Sequence, residues 1–503
     1  MPVQTPAYSS GSEFLVVVRS MLLLDRLGLI RRLRLIASLL LAASCLQPVY
    51  AAAPSAGSQT IEIYPSDAND TCDEAFENLA NSLQPGDELV LHGGIYTQSC
   101  RRAITANGTS QAPIIIRAAP GEVPILTRPP QPDYSYPQNN IEIVNSSYLV
   151  LRGLHFEGGD IGVRFIGGNH ITFEDNEVYD TGNNAIAMNS GDTDAFIIRH
   201  NHIHHTGLLD LSVGTTEGEG MYVGCNNAAC VASHHLIEDN YIHDLRGTSG
   251  GGNDGIEVKV GSYANIIRDN VIHDTTIGTR YPCIFVYGGG PDVNIVERNA
   301  MWNCGEAIQV VSDAVVRNNL ILNSDVGITT APHQQVSTMK NVSIVNNTLY
   351  GHGDCLYLRW SSATSMTLAN NAIYCPAGSA VNAAGLGGAT ISVRANYVEG
   401  GLSGAALDGL GFFDGGSAMD VFQDPAGLNF WPNAGAPLIG AADPAHLPPD
   451  DFNLTPRRAP SDVGAYHSAG LATNPGWNVN PDFKSTPVVD LPPQVFLPLV
   501  ARP

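Results

Sequence analysis

One recurring phrase constrains the fold of this chain more than anything else in its sequence. It reads FEDNEVYD at residues 173–180, IRHNHIHH at 198–205, IEDNYIHD at 237–244 and IRDNVIHD at 267–274. It continues as VERNAMWN, VRNNLILN, IVNNTLYG and LANNAIYC. The shared asparagines are Asn176, Asn201, Asn240, Asn270, Asn299, Asn319, Asn347 and Asn371, spaced by 25, 39, 30, 29, 20, 28 and 24 residues. A repeat of this length is one supersecondary unit that must stack on its neighbours to bury its apolar face.

A second phrase follows each of the first: AIAMN at 185–189, GMYVG at 220–224, GIEVK at 255–259, CIFVY at 283–287, AIQVV at 307–311, and three more to AVNAA at 380–384. Apolar residues alternate with variable ones, the period-two signature of a half-buried strand. The architecture this implies is all-β: a single-domain right-handed parallel β-helix over residues 58–470, each coil adding one rung about 4.8 Å from the last. The recurring asparagine is expected at a tight turn in left-handed geometry, its amide bonding to the rungs above and below. An unpartnered buried amide would cost about 1–3 kcal/mol, so such a ladder also fixes register.

Residues 1–51 read as a signal peptide, with a basic run, an apolar stretch and small residues before Ala51; Met21 is a candidate start. Lipoprotein processing at Cys45 is the alternative. Residues 471–503 form a Pro-rich tail. Export leaves eight cysteines, and sequential pairing is expected: Cys72 with Cys100, Cys225 with Cys230, Cys283 with Cys304, Cys355 with Cys375. Zinc ligation is the rival, though no compact CxxC pair exists. The net charge of −23 argues against nucleic acid as a partner. The expected protein is a secreted, periplasmic or cell-surface monomer with no transmembrane span, acting on a polysaccharide.

Aligning the second phrases predicts the outward side chains: Tyr222, then Glu257 and Lys259, then Phe285 and Tyr287, then Gln309, and further along Arg359 with Tyr357. Residues two apart on a strand share a face, so a carboxylate and an amine should project together from an exposed groove with aromatic walls. Long insertions fall beside these coils, at 206–219, 245–254 and 275–282, carrying Asp210, Glu217, Glu219, Asp254 and Arg280. Such loops on a rigid scaffold are where function usually sits.

The stretches LQPGDELVLHGGIYT and APIIIRAAPGEVPIL resemble the first coils of secreted β-helix proteins, the chondroitinase B and alginate lyase family above all, and DFNLTPRRAPSDVGAYHSAG at 451–470 resembles their closing strand. DGIEVK resembles the motif environment of that family and of the family nine pectate lyases, so the solenoid is expected to be pectate lyase-like. The resemblance implies a lyase that cleaves a uronic acid polysaccharide by β-elimination. It implies Lys259 as base, Arg280 as supporting cation, and Glu219, Asp254 and Glu257 as Ca²⁺ ligands. Tyr222, Phe285, Tyr287, Gln309 and Arg359 would contact sugar. Here Arg280 precedes its strand rather than lying on it, and the paired glutamates before the lysine are incomplete. A lysine titrates near ~10.4 in water, so a base role needs an environment that favours the neutral amine.

Other readings remain open. Glu257 and Lys259 could be a plain ion pair. Glu217 or Glu219 with Asp254 or Glu257 could form the carboxylate pair of a glycoside hydrolase. The chain could be a non-catalytic carbohydrate-binding β-helix. His204, His243 and His273, with Trp302 next, occupy equivalent places and could bind a metal, act as a base, or simply stack.

Overall fold

The computed structural model describes residues 57–68, 75–97, 102–128, 138–208, 217–246, 252–275, 281–351 and 353–470. The signal segment with Cys45, the Cys72–Cys100 pair, Asp210, Arg280 and the tail from 471 lie outside the described residues.

The alternating pattern becomes two long parallel sheets, one of 15 strands and one of 23. A typical coil places Ile266–Arg268 in the first sheet, turns at Asn270, and then places Val271–His273 and Pro282–Val286 in the second. Inward residues stack rung on rung: Ile237 beside Ile267, Ile242 beside Ile272, and Ile256 beside Ile284. All six are fully buried. The hydrophobic core is therefore a column along the solenoid axis, built by β-branched residues that suit a pleated surface.

The asparagine ladder is continuous. Asn240 donates both its backbone N–H (3.0 Å) and its side-chain amide (2.9 Å) to Asn270 Oδ1, and Asn270 Nδ2 donates to Ile237 O at 3.0 Å. The same pattern runs to Asn396, one coil beyond the repeated phrase. The left-handed backbone, however, belongs to the preceding residue: Asp239 has φ 53° and Asp269 φ 56°, whereas no ladder asparagine has positive φ. The bend at the preceding residue turns the asparagine amide inward, which is why that position accepts Asp, His, Arg or Asn.

A second ladder went unsuspected. Phe196 N–H donates to His235 Nδ1 (3.0 Å), His235 N–H to Asn265 Oδ1 (3.0 Å), and Asn265 N–H to Asn294 Oδ1 (3.1 Å). The histidines of the first phrase stack: His204 on His243 at 5.3 Å, His243 on His273 at 5.2 Å, and His273 on Trp302 at 4.2 Å.

Cys225–Cys230, Cys283–Cys304 and Cys355–Cys375 are disulfides. The last two tie neighbouring coils. The helix Ala75–Ser82 buries Phe76 and Ala80 against the first coils. At the other end, residues 451–470 hold no strand. They run back along the outside of the solenoid, where Asn346 Nδ2 donates to Asp462 O and Ala465 N–H to Thr348 Oγ1. Phe452 and Tyr466 pack there against an outer apolar patch with Leu320, Leu322 and Tyr374. Apolar residues on the outer face of the late coils need such a cover, so this segment is a lateral strap rather than a closing strand. Among the described residues, no helix is long and apolar enough to cross a membrane.

Candidate active site

Register brings the expected residues together. Tyr222 lies opposite Glu257, and Glu257 opposite Phe285, which is opposite Gln309. Lys259 follows two residues after Glu257 on the same face, with Tyr287 in the next coil. The face is not an exposed groove. Tyr222, Glu257, Lys259, Phe285 and Tyr287 are each at most 6% accessible. Beside them lies a cavity of about 500 Å³, which the described ends of the long loops help to line. Glu219 and Asp254 enter from those loops, as does Glu217. Gly252 passes so close to the Glu219 carboxylate that a side chain there would collide with it.

Lys259 Nζ donates to Glu257 Oε1 at 2.5 Å, and Tyr287 Oη donates to the same oxygen at 3.0 Å. The ammonium lies 4.2 Å from the Tyr222 ring centre and 5.2 Å from that of Tyr287, a cation–π arrangement on both sides. The Tyr222 hydroxyl bonds to no described residue. Glu219, Asp254 and Glu257 each offer a carboxylate oxygen within 4.8 Å of the others. Glu219 Oε2 accepts from Asn184 Nδ2 at 2.7 Å, but Asp254 Oδ1 and Glu257 Oε2 have no partner.

Three buried carboxyls against one ammonium is an electrostatic excess. Burial, and then the charge of Glu257, push Glu219 up to about 8. Burial raises Asp254 well above the usual range, helped by Glu257 and Glu219. Burial also raises Glu257, with Lys259 opposing. Two unpartnered oxygens in an anionic, oxygen-only donor set suit a hard divalent cation.

Several lining residues carried no signal that the repeat analysis used. Asn226, Tyr281, His333, Gln334 and Gln335 all face the cavity. Gln335 Oε1 accepts from Asn227 N–H at 2.9 Å and its Nε2 donates to Asn226 Oδ1 at 3.1 Å, joining loops 108 residues apart. His333 sits edge-on to Tyr287 at 4.8 Å, and its Nδ1 accepts from Gln335 N–H at 3.3 Å, which leaves the proton on Nε2. Burial, then the Lys259 charge, push this imidazole down. The one available clue was the 28-residue coil from Asn319 to Asn347 after a coil of 20, whose extra residues follow the second phrase rather than precede it.

Arg359 is elsewhere. It lies four strands along from Lys259, stacked 3.6 Å over the Tyr357 ring and bonded to Asn382. It does not line the cavity.

A family model described as right handed beta helix region matches residues 139–326 and 215–373. The chain is a right-handed parallel β-helix. No curated protein matches its sequence. Among solved structures, a XylC–xylose complex resembles this β-helix with TM-score 0.53 at 10% identity, over 81% of this chain and 98% of its own. An alginate lyase from Paenibacillus sp. str. FPU-7 aligns with TM-score 0.48 at 23% identity, over 59% of this chain and 97% of its own. Pectate lyase Pel9A aligns with TM-score 0.46 at 14% identity, over 82% and 97%. At these identities the likeness is one of fold, and the chemistry of the β-helix has to be argued from its own cavity.

Proposed function

We propose that the chain is an exported polysaccharide lyase that cleaves a uronic acid polymer by β-elimination with calcium. The observation that carries this reading is the buried Lys259 amine, set between two tyrosine rings beside a carboxylate cluster that is left two partners short. Glu219, Asp254 and Glu257 would hold the calcium ion. Bound there, it would neutralise the substrate carboxylate and stabilise the negative charge that grows as the C5 proton leaves. Lys259 Nζ, held between the two tyrosine rings, would be the base that takes this proton. The bond from C4 to the glycosidic oxygen then breaks and the C4–C5 double bond forms. Tyr222, kept protonated by burial and by Glu257, can donate to the departing oxygen. Phe285, Tyr287 and Gln309 would contact sugar, and Arg280 would add positive charge.

A hydrolase reading draws on Glu219, which holds a proton near neutral pH as a general acid must. One oxygen of Glu219, however, lies within 4.8 Å of one each from Asp254 and Glu257, a cluster of three carboxyls that suits a shared cation better than a two-carboxyl site. The deciding experiment incubates the protein with alginate, pectate, chondroitin, hyaluronan and neutral glycans. New ultraviolet absorbance from an unsaturated uronate supports the lyase. Reducing ends without absorbance would replace it with the hydrolase, and glycan retention without either would leave a binding module.

A further inference from the structure

A second cluster of ligating side chains stands outside the cavity, on the neighbouring face of the solenoid. Strand Glu177–Tyr179 pairs with strand His202–His204 so that Glu177 lies opposite His202. His202 and His204 are two apart and share the outward face. Glu177 Oε1 meets His202 Nδ1 at 3.2 Å and His204 Nε2 at 2.9 Å. His155 Nδ1 sits 2.8 Å from Glu177 Oε2. The three groups are part-exposed, so an ion could enter and keep an open position for water.

We infer that Glu177, His202 and His204 form a binding site for one divalent transition metal ion of the zinc class. Two imidazoles and a carboxylate are the donors such ions take. The oxygen–nitrogen separations of 2.9 and 3.2 Å are close to the edges of a coordination tetrahedron with bonds of about 2.0–2.1 Å.

The argument rests on where protons can sit. A neutral imidazole carries one N–H. Without a metal, His202 Nδ1 and His204 Nε2 must both donate to Glu177. His202 Nε2 is then an acceptor and needs a proton from His243 Nε2, 2.8 Å away. That leaves His243 Nδ1 bare against Asp244 Oδ2 at 2.7 Å, unless one of these two rings carries a second proton. With a metal on Glu177 Oε1, His202 Nδ1 and His204 Nε2, every contact holds one proton. His202 Nε2–H donates to His243 Nε2, and His243 Nδ1–H donates to Asp244. His204 Nδ1–H donates to His205 Nδ1 at 2.6 Å. Each ligating ring thus gives its other N–H to a fixed partner, the arrangement that orients metal-bound histidines. Stacking of His204 between Tyr179 (5.4 Å) and His243 (5.3 Å) holds its plane.

The test uses the full chain without an affinity tag, stripped by chelator and titrated with Co²⁺. One equivalent bound, with visible ligand-field absorption that Zn²⁺ abolishes, is expected. Glu177→Gln and His202→Ala should each weaken binding at least about tenfold. His243→Ala, which touches no metal, should weaken it about 10- to 100-fold, and Asp254→Asn in the cavity should leave it unchanged. Melting curves in chelator show that each variant is folded, and Glu177→Gln preserves shape if a histidine variant does not fold. No Co²⁺ bound, or binding indifferent to Glu177→Gln, would overturn the site and assign the network to a doubly protonated imidazole.

Discussion

Glu257 and Lys259 share one face of one strand, 2.5 Å apart in the lining of the cavity, and neither is more than 5% accessible. An ion pair held only for stability gains little on a surface and is costly to bury. This pair is buried, with the Lys259 ammonium between two tyrosine rings, an arrangement that the proposed proton transfer would explain. Lys259→Met is therefore expected to lower the rate of elimination on the preferred polyuronate by about 10²- to 10⁴-fold. Thermal melting of the variant separates lost chemistry from lost fold. A rate within threefold of the parent protein removes Lys259 as the base.

Asp254 Oδ1 and Glu257 Oε2 lack partners, so a cation that binds them should stabilise the fold. Calcium at about a hundred times its dissociation constant is expected to add about 2.7 kcal/mol. This would appear as a raised melting temperature that excess chelator reverses. Asp254→Asn should abolish the calcium response while leaving the melting temperature in chelator little changed, because burial already favours the uncharged form of Asp254. Equal shifts in both proteins would place the calcium effect elsewhere.

The column of Asn176 to Asn371 made the solenoid legible, because a buried amide ladder leaves a periodic trace in sequence. Strand pairing then placed Tyr222, Glu257 and Phe285 side by side by counting alone. Burial was not legible: Glu219, Gly252 and Asp254, which line the cavity with Glu257, come from insertions that carry no periodicity. His333 and Gln335 were missed for a related reason, since they reach the cavity from a turn two coils beyond Phe285. The strap of residues 451–470 was misjudged because its sequence has strand composition, whereas its backbone partners are asparagine side chains on the solenoid wall.

Gln335 joins the 331–336 turn to the 225–230 loop through Asn226 and Asn227. Both segments line the cavity. Gln335→Ala should loosen this clasp without touching Lys259 or the carboxylates. The expected result is a rise in KM for long substrates with kcat changed less than threefold. A large fall in kcat with constant KM would mean that Gln335 acts on the reacting sugar itself.

Asn270 accepts from Asn240 and donates to both Ile237 O and Asn299 Oδ1. Asn270→Ala leaves several buried polar atoms without partners, at about 1–3 kcal/mol each. A loss of at least about 3 kcal/mol in urea denaturation is expected, well above the effect of truncating an exposed residue of the same coil. A loss below about 1 kcal/mol would show that the ladder can close around the gap.

His235 replaces asparagine in the second ladder, its Nδ1 accepting from Phe196 N–H while Thr193 Oγ1 lies 2.9 Å from Nε2. Burial pushes this imidazole down to about 3, so the fold holds it neutral. An unfolded chain protonates the same ring near ~6.5. The unfolded state therefore binds the extra proton between these values. The stability from neutral His235 is complete above pH ~6.5 and falls as pH drops toward 3, by up to about 1.4 kcal/mol per unit. His235→Asn should restore the ladder's usual residue, with Oδ1 taking the Phe196 bond, and should flatten this part of the acid limb. The measurement is the urea midpoint at half-unit steps from pH 4 to 7 for both proteins. Parallel curves would show that other groups govern acid stability.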